Sequence, residues 1–282
     1  MSQVTPEKVK ELRERTGVGM GKCKEALDQA GGDMERAIDI LRKAGMASAV
    51  KKEGRETKEG LIGYDEGKST IALLEVNAET DFVTKNEKFA EFVKAICKDA
   101  VETKPTSLEA FLNQKSKQDS NITIDQYRAL VMQSLGENIK VKRLTIVPKS
   151  PDVSIGIYSH MGGKIVCLVE IGGGAGQEAL ARDIAMHIAA EAPEYLRPDE
   201  VPQDVKAREE EIAREQVKGK PANIVDKIVE GKLKAFYDQV CLLLQKYVKD
   251  NSITITQLLE NESKRLGKKL VLNRFIRWKV GE

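Results

Sequence analysis

The sequence predicts an α+β protein: a three-helix N-terminal module, then two related α+β core subdomains, the second carrying an inserted helical hairpin. Three observations predict it. The hydrophobic period changes from helical to alternating shortly after residue 50. A strand–turn–strand–helix pattern occurs twice. A short segment also recurs: Leu135, Gly136, Ile139, Val141 and Arg143 match Leu266, Gly267, Leu270, Leu272 and Arg274 in type and spacing. The predicted parts are residues 1–55, 56–148 and 149–282, with a helical arm at about 195–230.

The first helix opens at Thr5-Pro6-Glu7: a capping hydroxyl, a proline at the first helical position and an early acid. Val9 and Leu12 share its apolar face. The stretch Thr16 to Gly21 interrupts it. Cys23, Ala26 and Leu27 give a second helix, closed by Gly31-Gly32. Asp33 caps a third, with Ala37, Ile38 and Leu41 inward and Gly45 as its expected stop. The polar run from Lys51 to Lys58 reads as a linker.

Leu61 to Tyr64 and Thr70 to Val76, joined through Asp65-Glu66-Gly67-Lys68, read as a hairpin. A helix follows at about 86–102, with Phe89, Phe92, Val93 and Ile96 inward. The pattern returns as Ser154 to Ser159, a Met161-Gly162-Gly163 turn, Lys164 to Ile171, and a helix at about 177–191. Residues 204–218 are helical and nearly all polar. Residues 221–250 read as one more helix, with Ile224, Ile228, Phe236, Val240, Leu243 and Tyr247 on its apolar side. This charged pair is either a solvated hairpin or an arm for dimerisation or partner docking.

Composition excludes several classes. With 41% hydrophobic and 32% charged residues the chain is globular, and its net charge of +2 gives no global field for nucleic acid. Cys23, Cys97, Cys167 and Cys241 form no CxxC pair, so reduced thiols in a cytoplasm are expected. The opening MSQVTPEKVKEL has no apolar signal region, and no run is long enough to span a bilayer.

Gly17, Gly19, Gly21 and Lys22 resemble a phosphate loop, but Thr16 and Cys23 stand where it needs glycine and Ser or Thr, and no strand precedes it. Gly172-Gly173-Gly174-Ala175-Gly176 reads as a strand-to-helix turn, because Gln177 replaces the last glycine of GxGxxG. His160 and His187, the only histidines, have no neighbouring ligand or nucleophile motif. His187 reads as packing and His160 as exposed in a hairpin turn. Seven Lys or Arg with Phe275 and Trp278 over residues 263–280 admit an RNA-binding reading beside that of an ordinary strand. Thr80-Asp81-Phe82-Val83 follows an apolar strand. Either Phe82 tucks into the core and Asp81 caps the next helix, or Phe82 is an exposed anchor of the kind that dominates protein interfaces.

That turn, after LLEVNAE, resembles the signature of the translation elongation factor Ts family. Leu12-Arg13-Glu14-Arg15-Thr16-Gly17-Val18-Gly19-Met20 resembles the family's opening segment. Tyr158-Ser159-His160, Ala185 to Ala190, and Gly219-Lys220-Pro221 through Ile228 to Lys232 resemble later motifs, so the likeness runs from about residue 5 to 280. It implies a ubiquitin-associated-like N-terminal module, a coiled-coil arm, and a partner GTPase, elongation factor Tu, from which GDP is released. It implies that Asp81 and Phe82, with Thr80 and Val83, wedge near the partner's magnesium site. Arg13, Gly17, Val18, Gly19, Met20 and His160 are implied docking residues. No catalytic residue, cofactor, metal, direct nucleic acid or membrane is expected, and a homodimer through the arm stays open. Arg277-Trp278-Lys279 replaces a more acidic family ending, and the contacts of a further C-terminal helix found in some members are not carried over.

Overall fold

The computed structural model describes residues 4–219 and 221–282; the opening Met1, Ser2 and Gln3, and Lys220 of the Gly219-Lys220-Pro221 motif, lie outside the described residues. Contacts divide the chain into two units, residues 1–149 with 279–282, and residues 150–278.

The first unit opens with three helices: α1 (Pro6–Thr16), α2 (Met20–Gln29) and α3 (Met34–Lys52). Thr5 caps α1 by accepting the Lys8 N–H, and Asp33 caps α3 by accepting the Arg36 N–H. Gly17 ends α1 at φ 68, its N–H on the Arg13 carbonyl at 2.7 Å, a left-handed cap that glycine adopts without strain. Leu12, Val18, Cys23, Ala26, Leu27, Ala37 and Leu41 close the module's core. Contrary to expectation, α3 does not stop at Gly45. That glycine lies against the Leu130–Gln133 segment, where a Cβ would stand 2.7 Å from Gln133 Oε1. It marks a close approach, and the helix continues into the first residues of the expected linker.

Beyond it, β1 (Glu59–Glu66) and β2 (Thr70–Ala78) form the first hairpin, followed by α4 (Asp81–Thr84), α5 (Glu87–Thr103), α6 (Leu108–Asn113), α7 (Ile124–Leu135) and β3 (Ile139–Pro148). The sheet runs β1-β2-β3, antiparallel throughout. Ala72, Leu74, Val76 and Ala78 of β2 pack with Phe89, Phe92 and Ile96 of α5 and with Ile124 and Met132 of α7. Burying each such large side chain stabilises by roughly 1.5–3 kcal/mol.

The second unit repeats the arrangement with β4 (Val153–His160), β5 (Ile165–Gly172) and α8 (Glu178–Glu191), then α9 (Gln203–Glu215), α10 (Ala222–Val240), β6 (Lys246–Tyr247), β7 (Asp250–Thr254), α11 (Ile255–Leu266) and β8 (Val271–Lys279). Its larger sheet runs β4-β5-β8. The α9–α10 pair encloses Ala213, Val217 and Val229. The helix expected over 221–250 ends at Val240. There the Val240 carbonyl accepts the N–H groups of Glu194 and Tyr195, and Leu242 and Leu243 donate to the Tyr195 and Leu196 carbonyls. This short parallel pairing draws the chain out of the helix, and Leu243 and Tyr247 join the subdomain core instead.

The recurring segment extends further than the Leu-Gly-Arg pattern. Thr123 and Thr254 each open a helix with a complete capping box, closed by Gln126 and Gln257. Gly136 and Gly267 each end it in the left-handed region, at φ 85 and 63. Ile124 donates to the Gln114 carbonyl and Ile255 to the Gln245 carbonyl, both at 3.0 Å. So each echo begins as a helix end, not as a strand. All four cysteines are buried and reduced, Cys23 and Cys97 in the first unit, Cys167 and Cys241 in the second.

Candidate functional site

Phe82 is the most exposed large apolar side chain among the described residues, at 81%. It sits on α4, a single turn at the exit of β2. A helix this short has almost no stability of its own, so its neighbours hold it. Val83 and Thr84 point inward and are buried, and Thr84 Oγ1 donates to the Asp81 carbonyl at 2.9 Å. Asp81 accepts from Lys85 Nζ at 2.7 Å, and this bond raises the lysine's pKa. Asn86, not Asp81, caps α5, accepting the Lys88 N–H. Ahead of α4, Thr80 donates its N–H to Glu137 Oε2 at 3.0 Å and its hydroxyl to Glu137 Oε1 at 2.6 Å. The next residue returns the contact, Asn138 N–H donating to Glu79 Oε1 at 2.6 Å. Glu79 also faces Arg55 at 3.4 Å. Burial, then the neighbouring Arg55 and Lys22, lower the pKa of Lys52, which Glu79 and Glu137 oppose. Glu79 and Glu137 both lie within sequence motifs, LLEVNAE and the recurring Leu-Gly segment, but nothing in either motif gives them a role.

The other expected residues separate by exposure. Met20 is 55% exposed, and Arg13 and Gly19 are also at the surface. Val18 is not a surface contact: at 2% exposure it belongs to the helical module's core, and its role is to fix the loop from within. Val83 does the same for α4. Gly17 presents its carbonyl to Ser134 Oγ at 2.8 Å and Lys88 Nζ at 3.2 Å, which ties the Gly17–Met20 loop to the ends of α7 and α5. His160, in the second unit, ends β4 instead of lying in the turn. Its ring stacks on Tyr158, with Nδ1 3.3 Å from the Tyr158 hydroxyl, and Met161 beside it is 70% exposed.

The remaining sequence candidates have structural partners. Arg274 pairs with Glu170 at 2.8 Å, Lys279 with Glu282 at 3.0 Å, and Phe275 packs on the core, so much of the basic segment is engaged within the fold. The Gly172–Gly176 turn is closed by Ser154, whose hydroxyl donates to the Gly174 carbonyl and accepts the Gln177 N–H. His187 is fully buried between Gln245 and the Val248 N–H. Among the described residues no group of three His, Cys, Asp or Glu is placed to hold a metal ion, and no helix is long and apolar enough to cross a membrane.

The chain is similar to known proteins along its whole length. The sequence model of the family described as elongation factor TS matches residues 79–282. Elongation factor Ts of Protochlamydia amoebophila (strain UWE25) is 62% identical over 282 residues, with 100% of both chains covered. Those of Chlamydia caviae and Chlamydia felis are 46% and 45% identical over 281 residues, again over 100% of each. The match spans the exposed Asp81-Phe82 turn and the core that presents it, and the chain belongs to the elongation factor Ts family.

Proposed function

We propose that this chain is a guanine-nucleotide exchange factor for elongation factor Tu, working in the cytoplasm with no cofactor and no covalent step. The observation that carries the proposal is Phe82, an aromatic ring held in water beside Asp81 on a turn anchored at both ends. An exposed ring fixed in direction is an anchor for a partner's pocket. GDP and Mg²⁺ hold a GTPase's switch segments through charge-assisted contacts. Phe82, entering between two partner helices, displaces one of them, and the magnesium and phosphate contacts are lost together because packed elements are bistable. Factor and nucleotide then oppose each other reciprocally. Shifting a tight GDP complex a thousand-fold takes about 4 kcal/mol. That needs a broad interface, to which Arg13, Gly19, Met20 and His160 add contacts.

The test is release of labelled GDP from elongation factor Tu with magnesium present, comparing wild type with Asp81→Ala/Phe82→Ala. Wild type at substoichiometric amounts should speed release, and the double variant should bind without doing so. Unchanged release with folded wild-type protein would sink the reading.

A further inference from the structure

We propose that Glu137 is the positioning residue for Phe82, acting through Thr80, an inference that rests on the exchange reading above. Phe82 is useful as a wedge only if its direction is set before the partner arrives. The downstream end of α4 is set by burial of Val83 and Thr84. The upstream end is set by a reciprocal clasp between two turns. Glu137 takes both the N–H and the hydroxyl of Thr80, and Glu79 takes the N–H of Asn138. Bonds to a carboxylate are the strong class of protein hydrogen bonds, and two to one residue fix its orientation as well as its distance. The arginine at 55 faces Glu79, which offsets the charge of gathering two acids.

The duplicated half serves as an internal control. Glu137 and Asn138 follow the glycine that ends α7; Lys268 and Lys269 follow the glycine that ends α11. The second half's β5–α8 turn is instead closed by the Ser154 hydroxyl, with Gly173 so near the Lys269 carbonyl that a Cβ would stand 2.2 Å away. There the one turn carboxylate, Glu178, accepts the Gly176 N–H at 3.4 Å two residues away, so the fold closes this kind of turn without a carboxylate reaching across from the end of the later helix. The clasp is found in the half that carries the exposed phenylalanine. The same end of α7 holds the other contact loop, through Ser134 on the Gly17 carbonyl, so Met20 and Phe82 share one brace.

The experiment is GDP release from elongation factor Tu at increasing factor concentration, for wild type, Phe82→Ala, Glu137→Ala, Glu137→Gln and Thr80→Val, each with a urea-unfolding midpoint. Misplacing a contacting group by about an ångström costs up to about a hundred-fold in rate. Glu137→Ala should therefore lower the saturating rate constant about tenfold and change the half-saturating concentration little. Glu137→Gln, which keeps an acceptor for the Thr80 N–H, should recover part of the loss. Glu137→Ala combined with Thr80→Val should be no slower than Glu137→Ala. The proposal is overturned if Phe82→Ala slows exchange while Glu137→Ala matches wild type, or if the Glu137→Ala loss only tracks its unfolded fraction. If Phe82→Ala exchanges as wild type does, the wedge role of Phe82 fails and the positioning role with it; the exchange reading itself fails only if wild type leaves release unchanged.

Discussion

In the first half of the core, the Lys117 N–H is accepted by Asp99 at 3.0 Å; in the second half the corresponding Val248 N–H is accepted by His187 Nδ1 at 3.2 Å. Both acceptors sit on the helix behind the hairpin, at 1% and 0% exposure. The duplicated scaffold thus requires an acceptor at this post and leaves its chemistry free. The second oxygen of Asp99 is buried without a partner among the described residues, and burial raises the carboxyl's pKa above its ordinary 3.8. His187 donates from Nε2 to Gln245 Oε1 at 3.0 Å, which leaves Nδ1 as acceptor in the neutral ring, and burial lowers its pKa below 6.5. The two halves therefore respond to pH in opposite directions. With a folded pKa above the unfolded one, Asp99 contributes stability below pH 3.8 that is lost as pH rises through its folded value. With a folded pKa below the unfolded one, His187 contributes stability above pH 6.5 that is lost as pH falls through its folded value.

The largest difference between the halves should come from one glycine in the first strand of each hairpin, where the helix behind it packs close. A Cβ at Gly156 would stand 2.1 Å from the Arg182 backbone nitrogen and 2.4 Å from the Ala181 carbonyl carbon; one at Gly63 would stand 2.4 Å from the Val93 side chain. A side chain can turn aside and a helix backbone cannot. Gly156→Ala should cost more than about 3 kcal/mol, and Gly63→Ala about 1–3 kcal/mol, read from urea unfolding. Equal costs would break the comparison. Next, His187→Ala should cost about 2–4 kcal/mol, through a cavity and two stranded polar groups. It should also abolish the second half's loss of stability below pH 6.5, followed by urea midpoints against pH. An unaltered pH profile would show that another group titrates. Gly136→Ala and Gly267→Ala should each cost about 1 kcal/mol, because both sites are open and only the left-handed backbone resists. Thr123→Ala and Thr254→Ala should each cost about 0.5–1 kcal/mol, and unequal losses would show that the capping boxes are not equivalent.

Much of the fold was legible because local chemistry and period agreed. Both hairpins carry turn residues between apolar runs, and α5 presents Phe89, Phe92 and Ile96 on one face. The helix α7 was not legible, since Arg128 and Gln133 are buried among its apolar residues and spoil its stripe. The end of α10 was not legible either, because residues 194–196 set it by pairing. The turn at Thr80 to Val83 stood out as a motif, but its exposed and buried members could not be sorted by type: Val18 and Val83 are as apolar as Met20 and Phe82 and point the other way. Glu137 meets Thr80 across a separation of 57 residues, which no local pattern encodes.

The four buried thiols have a practical consequence. Burial raises the pKa of each, to about 12 at Cys167 and about 11 at Cys241, with Cys23 and Cys97 also raised. A thiol that is neither ionised nor accessible does not react with an alkylating reagent. Each cysteine is therefore silent until its surroundings open, and two lie in each unit, Cys23 in the helical module and Cys97 in the core of the first. Pulsed alkylation of the unmodified chain would time the opening of the helical module at Cys23, of the Asp99 half at Cys97 and of the second unit at Cys167 and Cys241, without adding a probe to any of them.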